Sequence, residues 1–220
     1  MHQYPLGLSL PPDYSPAHFI TFACNDAAHS LITRWPDWPQ PQLLLHGPAG
    51  SGKTHLAHLW AARAGARILS LTEIEPLLAT SLPAALCVED IDRAGEHEHT
   101  LFHLLNASRS QKSALLLTSR VSAPQLPLAL ADVRSRLLAL AEVGILPPDD
   151  DSLKTVLGKH FFDRQLKVEP GLIDYLAARM PRSFEAARQL VSALDDAALA
   201  RHRAITPALA RTILESFESA

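Results

Sequence analysis

Gly47, Pro48, Ala49, Gly50, Ser51, Gly52, Lys53 and Thr54 follow one another in an order that can hold a chain of phosphates. Glycines let a backbone curl until its N–H groups converge on anionic oxygens. Lys53 adds a full positive charge that reaches the β- and γ-phosphates, and the Thr54 hydroxyl can ligate Mg²⁺. The apolar run Leu43–Leu45 precedes this segment, and a helical pattern, His55 to Ala62, follows it. Strand, glycine loop, then helix is the context that gives such a match weight. The helix start contributes its positive dipole end, and His55 is counted with the site.

Other residues fit chemistry around a bound phosphate chain. Glu89 and Asp90 end an apolar run, Ala84–Val88. In that position one acid supports Mg²⁺ and the next orients or deprotonates an attacking water. Thr118 or Ser119, at the tip of another apolar run, can touch the γ-phosphate or that water. Arg136, within Arg134–Leu137, is either an arginine finger projected into a neighbour's nucleotide or an ordinary surface arginine. Arg182 opens a late helix from which it could reach back over the phosphates. His99 and His103 have i, i+4 spacing, but a third ligand is missing, so a solvated helix start is the simpler reading.

These groups need a scaffold that gathers them at one edge. Apolar strands at 43–45, 67–71, 84–88, 114–117 and 138–143 alternate with helical patterns, at 72–78 and 100–110 among others. That alternation predicts an α/β fold, a parallel five-stranded sheet with helices on both faces. Asp132–Leu137 is read as the approach to the last strand. Ligands in such sheets sit beyond the carboxyl ends of the strands, where the phosphate loop, Glu89-Asp90 and Thr118-Ser119 all fall. After Pro147-Pro148 the pattern is helical only, at 152–164, 170–180, 183–202 and 207–217. The expected organisation is therefore a tail over 1–15, a nucleotide-binding α/β domain over 16–147 and a small all-helical lid over 148–220. Trp35 and Trp38, in a proline-stiffened turn, are expected to pack at the sheet edge.

With 220 residues, 47% hydrophobic and 20% charged, the chain can bury a sizeable core. The net charge of −3 and the lack of a long basic run argue against strong direct DNA binding. The two cysteines, Cys24 and Cys87, form no framework, and Cys87 reads as a buried apolar residue. Neither a signal peptide nor a membrane span is evident, so a cytoplasmic setting is expected. In the tail, Gln3, Leu6 and Leu8 can act together, two aliphatics in a pocket and an amide at its rim. Equally, the tail can fold back on its own domain.

Taken together, the loop, the acid pair, the polar strand tip and the two arginines resemble the AAA+ ATPases. Phe19-Ile20 with Asn25, Val88–Asp92, Leu117–Arg120 and Arg134–Leu137 look like the core of the replication initiator DnaA, over roughly Phe19 to Phe217. The chain ends where that family continues into a helix-turn-helix, and it starts with a tail resembling a sliding-clamp-binding peptide. This combination is similar to the Hda regulators, in particular their alphaproteobacterial form. The resemblance implies ADP or ATP with Mg²⁺ as ligands, and DnaA and the β sliding clamp of DNA polymerase III as partners. It implies stimulated hydrolysis of DnaA-bound ATP, hence negative control of initiation, near the nucleoid or replisome and with self-association left open. It assigns Gln3, Leu6 and Leu8 to the clamp, and Phe19, Asn25 and Gly47–His55 to nucleotide. Thr54 and Glu89 go to Mg²⁺, Asp90 to the acid pair, Ser119 to sensor 1, Arg136 to the finger and Arg182 to sensor 2. Glu89 stands where the family has aspartate. Its extra methylene displaces the carboxylate, which implies weak intrinsic hydrolysis. The alternative is a self-sufficient ATPase that acts as a loader or initiator-like protein.

Overall fold

A computed structural model describes residues 13–201 and 204–218. The strands are β1 (Gln42–His46), β2 (Arg67–Ser70), β3 (Ala85–Glu89), β4 (Ala114–Ser119) and β5 (Ala141–Gly144). They pair in parallel in the order β2-β3-β4-β1-β5. The central strands are apolar throughout because both of their faces are covered. Alternation along each strand then deals its residues to two separate clusters. Leu44, Leu86, Val88, Leu115 and Leu117 meet Leu101, Leu104 and Leu105 of α4 (Glu98–Gln111). Leu43, Leu45, Cys87 and Leu116 meet α1 (Asp26–Thr33) and α2 (Lys53–Ala64), chiefly through Ile32, Leu56 and Trp60. Trp35 and Trp38 close against Trp60 of α2 at 5.6 and 5.1 Å between ring centres, so they pack on the cluster that covers this sheet face rather than at the sheet edge.

Two segments depart from the sequence reading. Asp132–Leu137 is not an approach to the last strand but the body of α5 (Ala131–Leu138), and β5 begins only at Ala141. Val133 and Leu137, one helical turn apart, are both buried on its inner face. The expected helix 72–78 is broken into a 3-10 turn, Leu71–Glu73, and a short α3, Glu75–Leu78. The Glu73 carboxylate accepts from the Ser70 N–H at 2.8 Å and closes the first turn on itself. Pro76, which lacks an N–H, then sits in the first turn of the next helix, where none is needed.

Four helices follow: α6 (Asp150–Asp163), α7 (Pro170–Ala177), α8 (Phe184–Arg201) and α9 (Pro207–Glu218). The Asp149 side chain starts α6 by accepting from the Ser152 N–H at 2.8 Å. These helices share an apolar cluster of their own, centred on Leu157, Phe161, Leu176, Leu190 and Leu194. No helix among the described residues is long and apolar enough to cross a membrane.

His160, on α6, is pushed down to about 4, first by burial and then by the nearby Arg164 charge. A ring that is neutral when folded must take up a proton on unfolding below its ordinary value. The His160 contribution to stability is therefore expected to be constant above pH 6.5, to fall as pH drops towards 4, and to level off below. The slope should stay under about 1.4 kcal/mol per pH unit, reduced by the ring's partial exposure. Chemical denaturation across this range should show the decline in the wild type, and His160→Gln should flatten it.

Candidate phosphate-binding site

The segment Gly47–Gly52 leaves β1 between two neighbours that pin its entrance. The Gly47 N–H donates to the Ser119 carbonyl at 3.1 Å, and the Ile145 N–H donates to the His46 carbonyl at 2.7 Å. Gly50 takes φ +72° and Gly52 φ +94°, left-handed conformations that cost a side-chain-bearing residue free energy. Gly52 is the N-cap of α2, so the helix axis starts where the loop ends. A Cβ on Gly50 would lie 2.8 Å from the Glu185 backbone nitrogen, so the loop lies directly against the first turn of α8.

Lys53 is buried and its Nζ donates to the Gly47 and Pro48 carbonyls at 2.8 and 3.0 Å. Burial lowers its pKa, and the charges of Asp90 and Asp92 oppose that. The Ser51 hydroxyl is buried inside the loop with no partner among the described residues. An unpaired hydroxyl, two left-handed glycines, a helix N-terminus and a curled ammonium fit a phosphate chain. Gly50, Lys53, Thr54, His55 and Asp90 line one cleft of about 710 Å³, within the range of small-molecule sites.

The acids behave differently from one another. Asp90 has φ 53°, its N–H donates to Thr118 Oγ1 at 3.1 Å, its carboxylate lies 4.0 Å from Arg93, and it borders both the phosphate cleft and a neighbouring one of about 410 Å³ between β2 and β3. Glu89 lines only that second cleft, and its Oε1 is buried with no partner among the described residues. The oxygen donors that a hard divalent ion prefers are thus present at Thr54 and Asp90, with Glu89 on the adjoining side. At the tip of β4, Thr118 is engaged by Asp90, while Ser119 Oγ accepts from the Val121 N–H at 3.1 Å. Neither lines the cleft. The next residue, Arg120, does, held near Asp92 by its N–H at 2.9 Å and its Nε at 3.9 Å.

The segment before α1 crosses the start of α2. Phe19 stacks on His29 at 5.3 Å and meets His55 edge-on at 5.2 Å. Tyr14 stacks on His58 at 4.0 Å and lines the cleft. His55 Nε2 is 3.0 Å from the Ser15 carbonyl, and burial pushes the ring's pKa down. The Asn25 amide is spent on the turn before it, accepting from the Phe22 N–H at 2.8 Å and donating to the Ile20 carbonyl at 3.0 Å. Its effect on the cleft is to hold Phe19's segment in place.

The arginine that the sequence reading placed over the phosphates lies elsewhere. Arg182 is not among the residues lining the cleft; it is exposed and pairs with Asp150 Oδ1 at 2.9 Å. The α8 arginine that does line the cleft is Arg188, in company with Glu185 and Gln189. Arg182 precedes α8, whose first turn already meets the loop at Phe184 and Glu185, and Arg188 lies about one turn beyond that contact. Arg188, Arg120, Glu185 and Tyr14 escaped the sequence reading. An acid–arginine pair three apart on a helix is too common to signal a site by itself.

Arg136 stands elsewhere. It lines a groove of about 550 Å³ with Gln40, Gln42, Arg109 and Asp132, at the amino end of β1. Gln3, Leu6 and Leu8 lie outside the described residues.

The fold is the α/β fold of DnaA-type AAA+ domains. Domain III of the Thermotoga maritima initiator DnaA superposes with a TM-score of 0.77, covering 94% of this chain and 98% of that one, at 16% identity. DnaA of Aquifex aeolicus, in a structure bound to AMPPCP, gives 0.66 over 85% and 66% of the two chains, also at 16% identity. In sequence, the chain is 24% identical over 219 residues to DnaA of Cutibacterium acnes, covering 86% of this chain. It spans 42% of the length of that curated relative. No protein-family model matches the chain.

Lys53→Ala is expected to weaken both ADP and ATP binding by about 100-fold, the scale of losing charge-assisted bonds to phosphate. Calorimetric titration measures this, with circular dichroism to verify the fold. An unchanged dissociation constant would remove the loop from the nucleotide site.

Proposed function

We propose that the protein is a nucleotide-binding regulator of replication initiation that docks on the sliding clamp and stimulates hydrolysis of ATP held by DnaA. ADP or ATP occupies the Gly47–Thr54 cleft, with Mg²⁺ held from Thr54, Asp90 and Glu89. The metal's role, when bound, is to offset phosphate charge. Arg188 replaces Arg182 as the arginine that α8 brings over the phosphates. Residues 16–147 and 148–220 act as core and lid around that cleft.

The observation that carries this reading is the position of Arg136. Its groove is entered at Gln40–Gln42, whereas the phosphate loop leaves the other end of β1. Five strand residues separate the two by roughly 16 Å, too far for Arg136 to serve its own loop. Its guanidinium is half-buried over the Phe102 ring, 5.1 Å from the centroid, and no carboxylate among the described residues pairs with it. Such a contact contributes only about 0.5–1 kcal/mol, so a phosphate from another chain could readily displace it. The helix that carries it is held firmly: Glu98 accepts from the Ala129 and Leu130 N–H groups at 2.9 and 2.7 Å. Those same bonds lower the Glu98 pKa, so the carboxylate stays charged and the helix start stays fixed. A rigid base with a loosely held guanidinium suits a finger that acts in trans, where it accelerates hydrolysis by ~10³–10⁵-fold.

Arg136→Ala should leave the protein's own nucleotide affinity intact and abolish its stimulation of DnaA-bound ATP hydrolysis. Single-turnover assays on ATP-loaded DnaA measure this, and unchanged stimulation would reject the assignment. Brisk turnover by the isolated protein would favour the self-sufficient ATPase instead. Changing Leu6 and Leu8 together to Ala should abolish clamp binding in a direct binding measurement without altering the melting temperature.

A further inference from the structure

Glu185 sits in the first turn of α8 with its backbone against Gly50. Its two carboxylate oxygens face Arg188: Nε donates to Oε2 at 3.1 Å, and Nη2 donates to Oε1. Gln189 Nε2 also donates to Oε1, at 2.8 Å. All three residues line the phosphate cleft together with Lys53, Thr54, Asp90 and Arg120. The Arg188 bonds and the nearby Arg120 charge hold the carboxyl below the usual range, so it is an anion at neutral pH.

We infer that Glu185 is an internal competitor for the terminal phosphate, occupying the Arg188 fork and so setting the preference between nucleoside di- and triphosphate. This rests on the nucleotide-binding reading above. Glu185 takes the Nε–Nη2 edge of Arg188, one of the bidentate edges that a guanidinium's five N–H donors provide, and its charge offsets that of the arginine. A diphosphate held by the loop and Lys53 does not require that fork. A triphosphate gains that edge only by displacing Glu185, and on the Nη1 side it still meets the Glu185 charge within the same cleft. The resting chain therefore favours ADP, and a triphosphate gains affinity only when α8 shifts enough to part Glu185 from Arg188. The i, i+3 geometry explains why the pair forms, but it does not explain why both residues border the phosphate loop.

The test is calorimetric titration of the full chain with ADP and with a non-hydrolysable ATP analogue. Glu185→Gln keeps the shape and the Gln189 neighbour but discards the charge. It is expected to tighten the analogue about tenfold and to change ADP by less than about threefold, as expected for freeing one charge-assisted pair in a partly open site. In an Arg188→Ala background the same change should yield a gain at least about threefold smaller, since no guanidinium is left to release. An analogue-to-ADP ratio that Glu185→Gln does not move would overturn the inference, as would an equal gain in both backgrounds. If instead neither nucleotide binds the wild type, or Lys53→Ala changes nothing, it is the nucleotide reading that fails.

Discussion

Backbone N–H groups can cradle an anion only if the chain bearing them is prevented from turning them elsewhere. Here that restraint comes from the neighbours of β1. Ser119 of β4 accepts from the Gly47 N–H on one side, and Ile145, just past β5, donates to the His46 carbonyl on the other. The loop is thus held at its root by the sheet and at its tip by α8, whose Glu185 backbone touches Gly50. Loss of either contact would leave a glycine-rich segment with high conformational entropy and no fixed direction. The central place of β1 follows from its composition, since three consecutive leucines are soluble only with both sheet faces covered.

Much of this was legible in the sequence because the signals were local. Leu43–Leu45, Ala85–Val88 and Ala114–Leu117 announce buried strands by their lack of alternation, and the loop motif announces its own conformation. The misreadings lie where local and distant effects compete. Asp132–Leu137 mixes charged and apolar residues over six positions, too few for a helical period to stand out. Its helix is fixed largely by Glu98, more than thirty residues earlier in the chain, capping Leu130. The sequence pointed to Arg182 because it opens a helix, and it held no signal for Arg188, which borders the cleft. Which arginine faces the loop depends instead on how α8 docks, a tertiary property set by Phe184, Leu190 and Leu194 packing inward. Ser119 Oγ also accepts from the Val121 N–H, a turn contact that a strand pattern cannot forecast.

Three cations, Lys53, Arg120 and Arg188, border the cleft together with the acids Asp90 and Glu185. Lys53, Arg120 and Arg188 would repel one another in a confined space. Each is matched by a group of this chain: Lys53 by the Gly47 and Pro48 carbonyls, Arg120 by Asp92 and Arg188 by Glu185. The Arg120 and Arg188 matches are partly exposed and individually modest, while the Lys53 pairing is buried. Under the proposed function, a phosphate chain exchanges these internal pairings for external ones.

Arg136 follows the opposite rule. At a site built to bind its own ligand, an arginine would be expected to sit against an acid or the loop. This one rests on Phe102 at the far end of β1, with Arg109 in the same groove. A second cation nearby makes the groove more attractive to an anion and makes the guanidinium easier to draw out. The phosphate loop and Arg136 thus lie at opposite ends of a single strand. Under the proposed function, that separation suits a catalytic site completed between two chains of this fold rather than within one.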